Sequence, residues 1–177
     1  MSRLLRTTGA VLAVSASLIA VGCSDDNAEE QATAADSAAT SATADSEDGA
    51  VTLSVSPADD LTDGEELTLK LSGLDPEMGY YVAVCTDKTE GDANVPVCLG
   101  AHGEENKQLW LTNQSDSATE SIPDDGAVVL KLSATQSGQD MNGDEITCGE
   151  ENCSVKVFGD HRNGFIDVVE VPIEFDD

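Results

Sequence analysis

The sequence predicts an all-β protein, an antiparallel β-sandwich that lies between residues 51 and 177. Three observations indicate this fold class. Apolar and polar residues alternate over short stretches, as in half-buried strands. The residues between these stretches are those that favour turns, and no stretch shows a sustained helical period with caps. Seven short strands in a segment of this length are typical of two packed sheets.

The seven strands follow from the alternation and from the turns that separate its stretches. The first runs over Val51-Thr52-Leu53-Ser54-Val55, where the alternation is strict. The pattern repeats in residues 67–72, after the turn Thr62-Asp63-Gly64. Further strands are predicted at residues 80–85, 108–112, 127–133, 154–158 and 165–175.

The alternation also assigns side chains to the two faces of each sheet, because successive side chains point to opposite sides of a strand. The predicted core contains Leu67, Leu69, Leu71, Tyr80, Val82, Val84, Val155 and Val157. Tyr81, Ala83, Cys85 and Asp87 then lie on the opposite face of their sheet. We expect function to reside on this second face.

Residues 1–22 are predicted to be the signal peptide of a lipoprotein. Arg3 and Arg6 precede an apolar segment, residues 9–21, that is too short to span a membrane. The segment ends in Leu18-Ile19-Ala20-Val21-Gly22-Cys23, which resembles a bacterial lipobox, the signal for lipid attachment to the cysteine. Cys23 is therefore the predicted lipidation site, and the predicted location is the extracytoplasmic side of the cell membrane. A secretory peptide that leaves Cys23 unmodified is the alternative.

Residues 23–50 are predicted to carry the lipidated cysteine and then a disordered acidic linker. The linker consists mainly of Ala, Ser, Thr, Asp and Glu, with no aromatic or large aliphatic side chain to bury. The whole chain has 35 acidic and 8 basic residues, a net charge of −27. This charge argues against nucleic acid as a partner, because binding to phosphates depends on Lys and Arg. A solvated acidic surface explains it without any partner.

The chain has five cysteines. Cys85, Cys98, Cys148 and Cys153 form an even set in a protein that is predicted to be exported, so two disulfides are expected. Four cysteines allow three pairings, and the count alone does not choose among them.

Several motifs together resemble the neocarzinostatin family of actinobacterial chromoproteins. They are Leu61-Thr62-Asp63-Gly64, Gly73-Leu74, the spacing from Tyr80 through Val82 to Cys85, the pair Cys148 and Cys153, and the stretch from Cys153 to Asn163-Gly164. The resemblance covers residues 51–175. It implies a seven-stranded immunoglobulin-like sandwich with disulfides Cys85–Cys98 and Cys148–Cys153. It also implies a cleft at one end of the sandwich, where family members hold an apolar enediyne chromophore.

The resemblance implies a ligand-binding site that comprises Ala83, Pro96, Trp110, Ser154, Lys156 and Phe158. Three departures from the family pattern argue against an enediyne as the ligand here. Asp87 replaces a characteristic tryptophan, and Lys156 stands where neocarzinostatin has glycine. The aromatic-rich hairpin before the third cysteine is also replaced by the polar residues 136–145.

Catalytic and metal-binding motifs are weak, so no enzyme, cofactor or metal site is predicted. There is no Gly-x-Ser-x-Gly elbow, and His102 and His161 both lie in predicted loops. Cys98-x-x-x-His102 lacks the second half of a zinc site. Residues 140–145 place hard oxygens close together but break the spacing of a calcium-binding EF-hand, and we interpret them as an Asn-Gly turn.

The function expected from the sequence is a monomeric, non-catalytic lipoprotein of the cell envelope. Its domain is predicted to bind or sequester a small, partly apolar molecule, and an anionic group of that molecule could pair with Lys156. The alternative is a protein interaction or structural module of the envelope or of a membrane complex. An open cleft with Trp110 in its wall favours the first function, and a closed cleft beside an exposed apolar patch favours the second.

Overall fold

The structure is a computed structural model of the chain, and it describes residues 40–91, 94–100, 104 and 106–176. Cys23, the predicted signal peptide and His102 lie outside this part. The described residues contain no helix that is long and apolar enough to cross a membrane. They form eleven strands: β1 (Ala42–Asp45), β2 (Thr52–Ser56), β3 (Glu65–Ser72), β4 (Gly79–Glu90), β5 (Val95–Cys98), β6 (Gln108–Thr112), β7 (Val128–Ala134), β8 (Ser137–Gln139), β9 (Glu145–Thr147), β10 (Cys153–Gly159) and β11 (Asp167–Ile173).

The strands form two larger antiparallel sheets and one small ribbon. The first sheet has the order β1-β2-β3-β7. The second has the order β11-β10-β4-β5, with β6 also paired to β4. The ribbon consists of β8 and β9. The two larger sheets bury one shared core, so the predicted sandwich is confirmed.

All seven predicted strands are present, but the count of seven is too low, because the described residues also form β1, β5, β8 and β9. These four strands have three or four residues each. Apart from Val95 and Val97 of β5, their sequences lack the repeated large apolar side chains that identify a strand. In the ribbon, for example, Ile146 is the single buried hydrophobic residue of β8 and β9. β5 contains Pro96, which is compatible with its position at the edge of the second sheet.

The core confirms the assignment of faces made from the alternation. Leu67, Leu69, Leu71, Tyr80, Val82, Val84, Val155 and Val157 are all buried in the shared core. Leu69 pairs with Val55 on one side and with Leu130 on the other. Tyr81, Ala83 and Cys85 point to the opposite face of the second sheet, as predicted, and take part in a separate, smaller apolar cluster.

The sheet begins before the predicted domain boundary at Val51. β1 lies within residues 23–50, so the prediction of disorder is wrong for these four residues. They fold because β1 pairs with β2 along its whole length, and because Ala42 and Ala44 pack against the core. In the connecting turn the carboxylate of Asp48 accepts hydrogen bonds from Ser46 Oγ and from Ala50 N. These bonds hold the pKa of Asp48 below its ordinary value.

Both disulfides have the pairing that the family resemblance implied, Cys85–Cys98 and Cys148–Cys153. The first joins directly opposed residues of β4 and β5. The second closes the short connection between β9 and β10. Cys85 and Cys98 face away from the shared core and belong to the smaller cluster on the outer face of the second sheet, so this bridge lies beside the predicted binding site.

Candidate ligand-binding site

The strand register brings four of the six predicted site residues together on the second sheet. Ala83 on β4 is directly opposite Lys156 on β10, with Ser154 and Phe158 two residues away on either side along β10. These four residues are buried. We call these four residues the floor of the outer face of the second sheet.

Trp110 and Pro96 lie at opposite ends of this floor. Trp110 on β6 pairs with Tyr81, whereas Pro96 on β5 pairs with Thr89, eight residues further along β4. The register of β4 and β5 shifts between Cys85 and Thr89, and Pro96 is only two residues from Cys98, which pairs with Cys85. The separation is therefore about six residues, or about 20 Å at about 3.3 Å per residue. The structure therefore places Trp110 with Phe158 at one end and Pro96 at the other.

Four of the six aromatic residues in the chain cluster at the Trp110 end of the floor, with Tyr81 at their centre. The ring centroid of Tyr81 lies 5.8 Å from that of Phe158, 6.2 Å from that of Trp110 and 6.5 Å from that of Phe165. The ring centroid of His161 is 5.7 Å from that of Trp110. We call Tyr81, Trp110, Phe158, His161 and Phe165 the aromatic face. Phe158 is buried, Tyr81, Trp110 and Phe165 are half-buried, and His161 is exposed.

A buried carboxylate holds the aromatic face in place. Asp160 is fully buried, and its Oδ2 accepts a hydrogen bond of 3.2 Å from Nε1 of Trp110. Its Oδ1 accepts bonds from the backbone N–H of Arg162 and from Nδ2 of Asn163, each at 3.0 Å. Gly79 makes room for this group, because a Cβ there would lie 2.0 Å from Asp160 Oδ2. Asp160 thus joins the turn after β10 to the indole on β6.

The turn after β10 also brings His161 to Tyr81. The hydroxyl oxygen of Tyr81 is 2.9 Å from Nδ1 of His161, and the hydroxyl can donate to this nitrogen when the imidazole is neutral. Burial raises the pKa of Tyr81, and the nearby negative charge of Asp160 raises it further. Tyr81 therefore remains a neutral hydrogen-bonding phenol at physiological pH.

Lys156 is already paired with a carboxylate of its own chain. Its Nζ is 2.8 Å from Oε2 of Glu170 on β11, and Ser154 Oγ donates to the same oxygen at 3.3 Å. The side chain of Lys156 is 10% exposed and that of Glu170 is 53% exposed. An anionic ligand group, as the sequence suggested, would therefore compete with Glu170 for Lys156.

Two surface grooves flank β11 and share Glu170 in their walls. The larger has a volume of about 800 Å³ and lies between Lys156, the exposed Ile166 and the turn after β1. The smaller has about 590 Å³ and includes Ser154. Carboxylates line much of both grooves, and neither is lined by Ala83 or Trp110. These grooves therefore differ from the predicted cleft, which was expected to have Trp110 in its wall.

The polar segment 140–145 forms the tip of the ribbon, as the turn interpretation predicted. Gly143 has a positive φ of 87°, and Oδ1 of Asp140 accepts the backbone N–H groups of Asn142 and Asp144. The fold adds Glu90 from β4, so that carboxylate oxygens of Glu90, Asp140 and Asp144 lie within 4.8 Å of one another. The side-chain amide of Asn142 donates to Glu90 and links the ribbon to β4.

Sequence reasoning missed Asp160 and did not include Tyr81 or Phe165 in the site. For Tyr81 the signal was present, because it lies two residues before Ala83 and therefore on the same face of β4. Asp160 and Phe165 belong to a turn that reads as an ordinary connection. Only the folded chain shows that this turn closes over the outer face of the second sheet.

The described residues form a two-sheet sandwich with two short-range disulfides. The sequence model of the neocarzinostatin family matches residues 53–175, most of the chain. The protein therefore belongs to the neocarzinostatin family.

One curated relative is "Thiamine biosynthesis protein X" of Corynebacterium glutamicum, which is 43% identical over 125 residues. The match covers 71% of this chain and 63% of that protein, so the chain spans less than two thirds of the relative's length. Among solved structures, macromomycin has a TM-score of 0.53 at 21% identity, over 72% of this chain and all of that one. Apokedarcidin has a TM-score of 0.46 at 17% identity, over 72% of this chain and 99% of that one. At its identity, macromomycin supports the fold alone.

Proposed function

We propose that the domain binds a small, partly apolar molecule without catalysing a reaction, and that the aromatic face is where the molecule binds. One observation carries the proposal. A chain with one Trp, two Tyr and three Phe places four of these six residues on the outer face of one sheet instead of in its main core. Half-exposed rings of this kind supply apolar contact area and stacking partners, which are the main features of a small-molecule site.

The aromatic face offers both the apolar contact area and the stacking partners of a small-molecule site. Tyr81, Trp110 and Phe165 present half-buried rings, and Phe158 forms the apolar floor beneath them. Asp160 fixes the indole through Nε1, so the ring needs little reorganisation on binding. The ligand class therefore contains a planar or apolar ring of a size that these side chains can cover.

The name of the Corynebacterium glutamicum relative suggests thiamine as the first compound to test. Thiamine carries a cationic thiazolium ring and a pyrimidine ring. A cationic ring is attracted to the faces of Trp and Tyr. A protein with a net charge of −27 also attracts cations over longer distances.

The experiment uses Trp110, the only tryptophan in the chain, as the reporter. Thiamine is titrated into the full chain while the tryptophan emission is recorded, and we expect saturable quenching. Tyr81→Ala should weaken binding about tenfold or more through loss of a ring contact. Val129→Ala, an exposed change on the first sheet, should have no effect.

Native mass spectrometry of the protein from its own host extends the test to other ligands. A co-purified small molecule that Tyr81→Ala removes would support the proposal. A stoichiometric protein companion without a small molecule would contradict it and support the interaction module instead. The proposal also fails if neither thiamine nor a co-purified compound changes the emission of Trp110.

We also propose that the domain is held on the outer side of the cell membrane by lipid on Cys23. The proposal rests on the sequence from Leu18 to Cys23 and on the acidic segment that follows it. Replacement of Cys23 by Ser should abolish incorporation of labelled fatty acid and release the protein from the membrane fraction. If Cys23→Ser leaves the protein in that fraction with its label, the anchoring proposal is wrong.

A further inference from the structure

Arg162 stands at the rim of the aromatic face. Its guanidinium carbon lies 5.9 Å from the centroid of the Trp110 ring, and its Nη1 donates to Oε1 of Gln114. The position of the side chain follows from the turn after β10, because the backbone N–H of Arg162 is bound to Asp160 Oδ1. The carboxylate of Asp160 therefore holds both the Trp110 indole and the backbone of Arg162, whose guanidinium lies over that indole.

Both side-chain contacts of Arg162 are uncharged, and among the described cations it shares the lack of an ion pair only with Lys70. Among the described residues, Lys88, Lys107, Lys131 and Lys156 each form an ion pair with a glutamate. Within the same part of the chain, no carboxylate oxygen lies within 4.0 Å of the guanidinium of Arg162.

The chemistry of the guanidinium indicates what it can bind. It has five N–H donors in a planar fork that matches a carboxylate or a phosphate, and Gln114 takes one of these donors. The position of the guanidinium over the Trp110 ring keeps the fork close to the aromatic face. The guanidinium and the indole are therefore close enough for one small molecule to contact both, the first with an anionic group and the second with a ring.

We propose that Arg162 binds an anionic group, a carboxylate or a phosphate, of a ring-bearing ligand on the aromatic face. This inference rests on the binding function proposed above. Thiamine itself has no anionic group, so the inference concerns a ligand that carries one, such as a carboxylate or a phosphate ester. It also moves the anion-binding role from Lys156, which Glu170 neutralises, to Arg162. Because the protein as a whole repels anions, recognition depends on this local contact and on the rings together.

The test compares three compounds that share one ring system: 2-naphthylmethanol, 2-naphthoate and 2-naphthyl phosphate. Binding to the full chain is followed by the NMR signal of the Trp110 indole N–H, which is unique because the chain has a single tryptophan. We expect one or both of the anionic compounds to bind about tenfold more tightly than the alcohol, through charge-assisted hydrogen bonds.

Variants then identify the side chain responsible. Arg162→Gln should remove the preference, so that the affinity for the anionic compounds falls much more than the affinity for the alcohol. Arg162→Lys should retain part of the preference, since it keeps the charge but loses the fork. The matched control is Lys70→Gln, which removes an exposed cation from β3 of the first sheet and should change nothing. An unchanged amide spectrum outside the site shows that each variant is folded.

The outcomes separate this inference from the proposed function. Equal binding of all three compounds, or a preference that survives Arg162→Gln, overturns the role of Arg162 and leaves binding to the aromatic face intact. If none of the three compounds shifts the Trp110 signal, the inference fails, and the proposed site fails with it only if thiamine and co-purified compounds also leave the emission of Trp110 unchanged. A preference for phosphate over carboxylate, or the reverse, identifies the anionic group that the fork recognises.

Discussion

Replacement of Asp160 by Asn should destabilise the domain and loosen Trp110 while preserving the shape of the side chain. Asp160 is fully buried, and three donors point at its carboxylate: the indole of Trp110, the backbone of Arg162 and the amide of Asn163. An asparagine has one acceptor oxygen and one donor nitrogen. Its nitrogen must therefore face at least one of these donors.

The size of the effect follows from the number of bonds lost. If the new amide nitrogen faces Trp110, one hydrogen bond is lost. If it faces the other side, the bonds from Arg162 and Asn163 are lost. A hydrogen bond to a charged acceptor contributes about 1.5–3 kcal/mol, and a buried donor left without a partner adds a penalty. We therefore expect Asp160→Asn to lower the free energy of unfolding by about 2 kcal/mol or more.

The assay is urea unfolding, followed by circular dichroism and by the emission of Trp110. Asp167→Asn is the control, because Asp167 is an exposed carboxylate near the same end of the second sheet and its removal changes the net charge equally. The reasoning is refuted if the two variants differ by less than about 0.5 kcal/mol, or if the indole N–H signal of Trp110 is the same in Asp160→Asn and in the unmodified protein.

Three further predictions concern the rest of the domain. Replacement of Cys85 and Cys98 by Ala opens a loop with a sequence separation of 13, and urea unfolding should show a loss of about 3 kcal/mol by the chain-entropy estimate. Leu69→Ala should cost about 3–5 kcal/mol because Leu69 is fully buried, whereas Val129→Ala at an exposed position should cost under about 0.5 kcal/mol in the same measurement. Because burial raises the pKa of Tyr81 in the folded state, its contribution is complete below about pH 10 and is lost as the pH rises through the folded-state pKa. Alkaline unfolding should therefore show a smaller loss of stability in Tyr81→Phe than in the unmodified protein, and an identical pH dependence in the two would contradict this assignment.

The core could be predicted from the sequence because its strands carry large aliphatic side chains on alternate positions. Leu67, Leu69 and Leu71 fix the buried face of β3 without knowledge of its neighbours. The ribbon could not be predicted in this way, because it forms where the connection between β7 and β10 folds back on itself and buries little apolar surface. The disulfide pairing depended on the family resemblance, since the count of cysteines left three possibilities.

For the candidate site, the sequence predicts the face of each strand but not the partners across strands. Lys156 was expected on the outer face of β10, and it lies there. Its ion pair with Glu170 depends on the register between β10 and β11, which contains an irregularity after Val157. The contact between Asp160 and Trp110 joins residues that are 50 positions apart, and no local pattern encodes it.

The strand β1 bears on how the domain should be produced on its own. The change in amino-acid composition at Val51 suggests starting there, and the family match also begins later, at residue 53. A polypeptide that starts at Val51 would lack β1, and the backbone groups of β2 that now pair with Ala42 to Asp45 would be open to solvent. Such a row of free amide and carbonyl groups invites another molecule to add a strand. Self-association of a form that starts at Val51 would then result from the loss of β1 and would not be a property of the native protein.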